Sequence, residues 1–254
     1  MIKFFRHIRK SLLERNKIGK YFKYAIGEIV RVVIGILIAL QVNNWNEKRK
    51  LKNYEKQLLI QLKNDLERNS GDLKFNIILQ EKLIESSNLL VNHLNNKLPY
   101  SDTLKVHFAN TALWTKFIVN AGAYKTIESK GLDLISDLEL RDLIFRIYEG
   151  NLNWLRQMEQ TAIDQIEDFR INKASIYFSE WYPIQITNEE YGGGTVQIID
   201  YESLINDKDD AYKYYINSIK NHTEILHHIS KGYLDDNLQG IDKINTVLNL
   251  ESND

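Results

Sequence analysis

The feature that most constrains this 254-residue chain is an apolar run near its front, Ile29 to Leu40, broken only by Arg31. The wider stretch from Tyr21 to Val42 is the least polar in the sequence, and about 20 apolar residues suffice to cross a bilayer core. Tyr24 and Trp45 are 21 residues apart. As a helix that interval is about 31 Å long, so amphipathic rings reach both interfaces of a hydrocarbon core about 30 Å thick. A single transmembrane helix over residues 21–43 is therefore expected. The competing reading is a buried helix of a soluble protein, favoured by Glu28 and Arg31, because an arginine in mid-span costs roughly 2.5–3.5 kcal/mol. Several Ile, Leu and Val at about −0.3 to −0.6 kcal/mol each offset that cost. Glu28 and Arg31, at i and i+3, are also spaced to pair on one helix face, and Arg31 is long enough to stretch toward the headgroups.

The charges sort around this run. Residues 1–24 carry eight basic side chains against Glu14 alone, a balance of +7, and residues 44–60 carry +3. Residues 61–254 carry −11, so a formal net charge of −1 averages over unlike parts. No small-x-small cleavage site follows the run, which ends Ile38-Ala39-Leu40-Gln41-Val42-Asn43; an uncleaved signal anchor is expected rather than a signal peptide. The basic excess before the run orients the N-terminus to the cytoplasm and the bulk of the chain to the far side, the periplasm of a Gram-negative cell. The absence of Cys fits either compartment. Ahead of the run, Ile2, Phe5, Ile8 and Leu12 recur at helical spacing opposite Lys3, Arg6 and Lys10. This is the pattern of a basic helix in the headgroup plane, or of a frayed tail that only sets topology.

Tyr24-Ala25-Ile26-Gly27-Glu28-Ile29-Val30, then Val33 to Gln41 and Asn43-Asn44-Trp45-Asn46-Glu47, form a motif that resembles an uncharacterised family of small, single-span bacterial envelope proteins. A looser second motif runs Ala123-Tyr124-Lys125-Thr126-Ile127, Ser129-Lys130-Gly131-Leu132-Asp133-Leu134-Ile135 and Leu140-Arg141. The resemblance implies a basic N-terminus, one span and a helical domain, and it carries no reaction, cofactor or partner. Arg31 departs from the apolar residue of that pattern and raises the cost of insertion.

Past the run, apolar and small residues recur every three or four positions from Leu51 to Leu98, with a mean step of about 3.6, the period of a straight α-helix. Pro99 ends it and Gly71 is a weak point; Asn69, Gln80 and Ser87 fall on the apolar face as packing irregularities. A second helix is predicted over 103–119, capped by Ser101 or Asp102. A short one over 121–131 ends at Gly131, one capped by Asp137 runs to about Asn172, and a last one covers 208–248. Ile184 to Thr187 and Thr195 to Ile199 alternate like strands, either a small hairpin or an irregular excursion.

Candidate chemistry is sparse. Gly192-Gly193-Gly194 lacks the strand, helix and Lys of a phosphate loop and reads as a turn. His222, Glu224, His227 and His228 are not spaced as a zinc-protease helix. Trp114, Tyr124, Trp154, Trp181 and Tyr182 are expected to fill a core. The −11 of the distal part argues against nucleic acid. In the span, Gly27, Arg31, Gly35 and Ala39 share one face, and Gly35-x-x-x-Ala39 permits close approach of another helix.

The expectation is an all-α chain: a basic segment at 1–20, a transmembrane helix at 21–43 and an antiparallel bundle of long helices in an extracytoplasmic domain at 44–254, with room for one hairpin. Its expected role is interaction or scaffolding at the inner membrane rather than catalysis, with the bilayer and either a second copy or another membrane protein as partners. A ligand-sensing module acting through a membrane partner is the alternative, and a metal-dependent hydrolase a distant third. No catalytic, cofactor or metal residue is assigned; the residues singled out are the polar pair Glu28 and Arg31 and the packing face of Gly27, Gly35 and Ala39.

Overall fold

The computed structural model describes residues 18–187, 190–206 and 210–251. The basic pattern at Ile2 to Leu12 lies outside the described residues. The chain divides into two compact units, 1–56 and 57–254. Among the described residues the fold is all-α apart from one two-stranded antiparallel hairpin.

Helix α1 spans Ile18–Asn95, as the unbroken 3.6-residue period and the lack of internal proline require. Within the first unit its residues 29–40 are all exposed. Within the second, Leu58, Leu59, Leu62, Leu66, Leu73, Leu83 and Leu90 are buried, a stripe that needs a partner. The partners are α4 (Leu138–Phe145), a π-helical turn (Arg146–Asn151), α5 (Leu152–Asn172) and the last helix, α8 (Ala211–Glu251).

Cross-links fix their directions. From α1, Gln80 Nε2 donates to Ser230 Oγ at 3.2 Å, Glu81 meets His227 at 3.0 Å, and Asn88 accepts from Lys220 at 3.2 Å. From α4–α5, Lys243 pairs with Glu139 at 2.5 Å, Asp236 with Arg146 at 3.1 Å, and Gln165 donates to Ser218. Helix α8 is thus antiparallel to both neighbours, while α1 and α4–α5 run the same way. Gly240 marks where they meet: a Cβ there would sit 3.0 Å from Leu66 Cδ1 and 3.4 Å from Ile147 Cδ1.

Two helices in the same direction need a return path, and residues 96–137 supply it. Helix α2 (Leu104–Asn110) ends early, and 113–121 runs extended down α1 rather than continuing the helix predicted to 119. The composition explains the difference: Thr115, Ile118 and Val119 are β-branched, and Leu113, Thr115 and Phe117 are buried while Trp114, Lys116 and Ile118 face out, a period of two. Among the described residues no strand pairs with this strap. Its amides are instead taken by side chains: Phe117 N donates to Glu159 Oε1 (2.8 Å), Ile118 N to Asp72 Oδ2 (3.0 Å), Asn120 N to Asn69 Oδ1 (2.7 Å) and, just beyond, Ala123 N to Asp65 Oδ2 (2.9 Å). Asn69 also donates to Asn120 O at 3.0 Å, so one fully buried amide does the work of a strand partner. Asn69 and Gln80, the latter bonded to Thr115 and Ser230, are therefore connectors and not irregularities of packing.

The chain then forms α3 (Gly122–Lys130), closed by Gly131 at φ 108°, a conformation suited to glycine. Asp137 caps α4 by accepting from Leu140 N at 2.8 Å, as its position predicts. After α5 come α6 (Ala174–Tyr177), β1 (Phe178–Thr187), β2 (Glu190–Ile198) and α7 (Tyr201–Ile205). The alternation at 184–199 does form a hairpin, longer than expected, with Trp181 opposite Val196 and Thr187 opposite Glu190. Its base rests on an aromatic group in which Phe169 stacks on Tyr215 at 3.8 Å, Phe178 lies 5.0 Å from Trp181, and Phe108 lies 5.6 Å from Tyr212.

Because Asn69 satisfies both backbone groups of Asn120 in a buried setting, Asn69→Leu is expected to destabilise the protein by about 2–4 kcal/mol. Urea unfolding followed by circular dichroism checks this; a loss under about 0.5 kcal/mol, the size of an ordinary surface change, would contradict the connector role.

Candidate functional site

Three places could carry function: the exposed front of α1, the carboxylates under the strap, and a cleft between the π turn and α8. On α1, Gly27, Glu28, Arg31, Gly35 and Ala39 lie at the spacing expected of them. A Cβ added at Gly27 or Gly35 would meet nothing within 4 Å. An 18-residue window here has mean hydropathy 2.1 and no part of it is buried. Large apolar side chains stand open to solvent, among them Ile29 at 63% and Ile38 at 59% exposure.

Under the strap, Glu159 is 3% exposed. Burial pushes its carboxyl up to about 7 from the ordinary 4.5, the nearby Asp72 adds to the rise, and the bond from Phe117 N with the charges of Lys116 and Arg156 opposes it. A carboxyl raised in this way suits a general acid or base only where a substrate can reach it. Glu159 is closed off, and its Oε1 is already engaged by backbone, so its chemistry is structural.

The cleft has a volume of about 560 Å³ and is lined by Gly150 and Asn151 of the π turn, Trp154 of α5, and His228, Gly232 and Asp236 of α8, over a floor that includes Tyr233. It lies wholly within the second unit. Asp236 Oδ1 accepts from Arg146 Nη2 at 3.1 Å and Oδ2 accepts from Asn151 Nδ2, which fixes the carboxylate on the cleft wall. The indole of Trp154 is 61% exposed. The π turn holds its neighbours in place on the inner side, where Tyr148 stacks on Tyr124 with centroids 4.4 Å apart and Tyr124 Oη donates to Glu149 at 2.9 Å. Turns of this kind recur at functional sites because they break the regular spacing of a helix.

The five aromatic residues expected in a core divide. Tyr124 is buried and Trp181 half-buried, whereas Trp114, Trp154 and Tyr182 are exposed. Of the histidines, His227 is engaged by Glu81, whose carboxyl is held below its usual range chiefly by the bonds from His227 and Lys231. His228 reaches the cleft. No group of three or more His, Cys, Asp or Glu among the described residues is placed to hold a metal ion. Gly192 and Gly193 pair across the hairpin with Gln185 and Ile184, so the glycine run belongs to a strand and not to a turn. Sequence reasoning missed the cleft; Gly150 and Gly232, each inside an otherwise helical pattern, are the local signals of it.

The described residues define a helical protein with a long apolar stretch exposed within the first unit and a mixed-direction helical bundle within the second. Residues 28–176 match a family of unknown function (DUF6090), more than half of the chain, and the protein belongs to that family. No curated protein and no solved structure matches it.

Glu159 makes stability depend on pH with a definite sign. The folded carboxyl holds its proton up to about 7 and the unfolded one only to 4.5, so the folded state is favoured below the unfolded value and loses that advantage as pH rises through the folded one. Glu159→Gln retains an oxygen for Phe117 N and removes the ionisation. Relative to wild type, the variant is expected to gain up to about 3 kcal/mol between pH 5 and pH 8, read from urea midpoints at the two pH values.

Proposed function

We propose that this protein is a single-pass, membrane-anchored interaction module, with its N-terminus in the cytoplasm, the front of α1 in the inner membrane and the acidic helical domain on the periplasmic side. The observation that carries the reading is the complete exposure of residues 29–40. A core helix of a soluble protein would be covered, and contiguous apolar surface much beyond a few hundred Å² calls for lipid or a partner. Arg49 lies over the ring of Trp45 at 5.2 Å, a pairing suited to the headgroup level just past the apolar window. The charge sequence of +7, apolar run, +3 and −11 supports the orientation, because the larger basic flank stays inside.

Within the bilayer, Gly27, Gly35 and Ala39 offer a face on which another helix can approach closely, and Arg31 shares that face by helical spacing. The partner is a second copy of this helix or the span of another membrane protein. The domain of residues 57–254 supplies long helices and many exposed polar side chains, the equipment of a scaffold.

Reporter fusions at Asp254 test the topology. An enzyme that requires export is expected to be active there and a fluorophore that matures only in the cytoplasm to be dark; the reverse would overturn the placement. Arg31→Leu is expected to favour insertion by about 3–4 kcal/mol, measured as the inserted fraction in a translocon assay on the span. An unchanged fraction, from a starting point below saturation, would mean that Arg31 lies outside the hydrocarbon.

A further inference from the structure

We propose that the cleft between the π turn and α8 binds a neutral, polyhydroxylated ring, the chemistry of a glycan. The site lies in the second unit and does not depend on the membrane reading.

The cleft exists because side chains are missing from both of its walls. Gly232 sits inside α8 at ordinary helical φ, and a Cβ there would meet nothing within 4 Å; at Gly150 only Arg146 Cγ comes as near as 4.0 Å. Neither residue is glycine for want of space. Glycine is among the least favourable residues in a helix interior, so Gly232 weakens α8 without easing any packing. What its bare backbone does is leave a volume of about 560 Å³ open, within the range of small-molecule sites.

The groups facing that volume select a ligand class. Trp154, 61% exposed, presents a flat apolar face of the kind that covers the C–H face of a sugar ring. Asp236 is half-committed: each oxygen accepts one hydrogen bond, from Arg146 and from Asn151, and each keeps a lone pair for a ligand hydroxyl. His228, about two turns before Asp236 on the same helix, adds a ring that can donate or accept. Hydroxyls do both, so adjacent hydroxyls suit this set. Charge argues the same way. The Asp236–Arg146 pair, 3.1 Å apart, carries no net charge, so a bound anion and a bound cation would each give up hydration without a complementary charge. A neutral ring with an apolar face and a hydroxylated edge meets no such penalty.

The test uses the full chain in a polyoxyethylene detergent, since glycosidic detergents would compete. Saturation-transfer NMR is run with chitotriose and with maltotriose, and inorganic phosphate and tetramethylammonium serve as charged controls. At least one trisaccharide is expected to bind saturably, with neither control displacing it. Trp154→Ala is expected to weaken binding at least tenfold, and Gly232→Leu to do the same while the thermal midpoint stays at or above that of wild type, which separates a filled cleft from a damaged fold. The proposal is overturned if neither trisaccharide binds, if binding survives both substitutions, or if phosphate or tetramethylammonium displaces the sugar.

Discussion

The fold of residues 57–254 depends on how the strap satisfies its backbone. Running α1 and α4–α5 in the same direction forces the connection to travel back along the bundle, and it does so extended and partly buried, where an unpaired amide costs about 1–3 kcal/mol. A strand would normally solve this with a second strand. Here the solution is a line of acceptors on helices: Asp65, Asn69 and Asp72 from α1, spaced by four and three so as to share a face, and Glu159 from α5. The strap in turn seats Phe117 against Tyr233 of α8, with centroids 5.5 Å apart. One set of hydrogen bonds to α1 and α5 and one ring contact with α8 therefore tie all three long helices to a segment that belongs to none of them.

That arrangement decides what could be read from the sequence. Long elements with an unbroken period were legible: α1 past residue 51, the Asp137 cap, the Gly131 stop and the long last helix follow from spacing and local chemistry. The strap was not. Leu104, Phe108, Leu113 and Phe117 fit a helix loosely, and the alternation of Leu113, Thr115 and Phe117 fits a strand better, yet what makes an isolated strand tenable is Asn69, more than forty residues earlier. Polar residues on the apolar face of α1 look like flaws until the strap is laid over them. The exposed aromatics misled for a related reason: ring size predicts burial on average, but Trp154 borders a space that two glycines keep open, a fact of three-dimensional placement that no window of sequence contains.

Of the candidate sites, the face of Gly27, Gly35 and Ala39 rests on helical spacing alone. The cleft was not legible, since its walls come from segments some eighty residues apart, Gly150 to Asp236. Asp236 and Arg146 become partners only when α8 folds back on α4. Gly150 lies inside an otherwise helical pattern, and its meaning depends on what lies across from it.

Gly240 and Gly232 stand eight residues apart in α8, and only the first is a packing residue, because a Cβ there would press on Leu66 at 3.0 Å. Gly71 in α1 has surroundings as open as those of Gly232 but is not among the residues that line this cleft, so openness alone does not make a site. At Gly232 the open space is bounded: Gly150 removes a side chain from the facing wall, Trp154 closes one side and a carboxylate fixed by two donors closes another. A glycine that helps no close approach and relieves no strain, opposite a second one and between an indole and a held carboxylate, is better explained by what enters the space than by the fold around it.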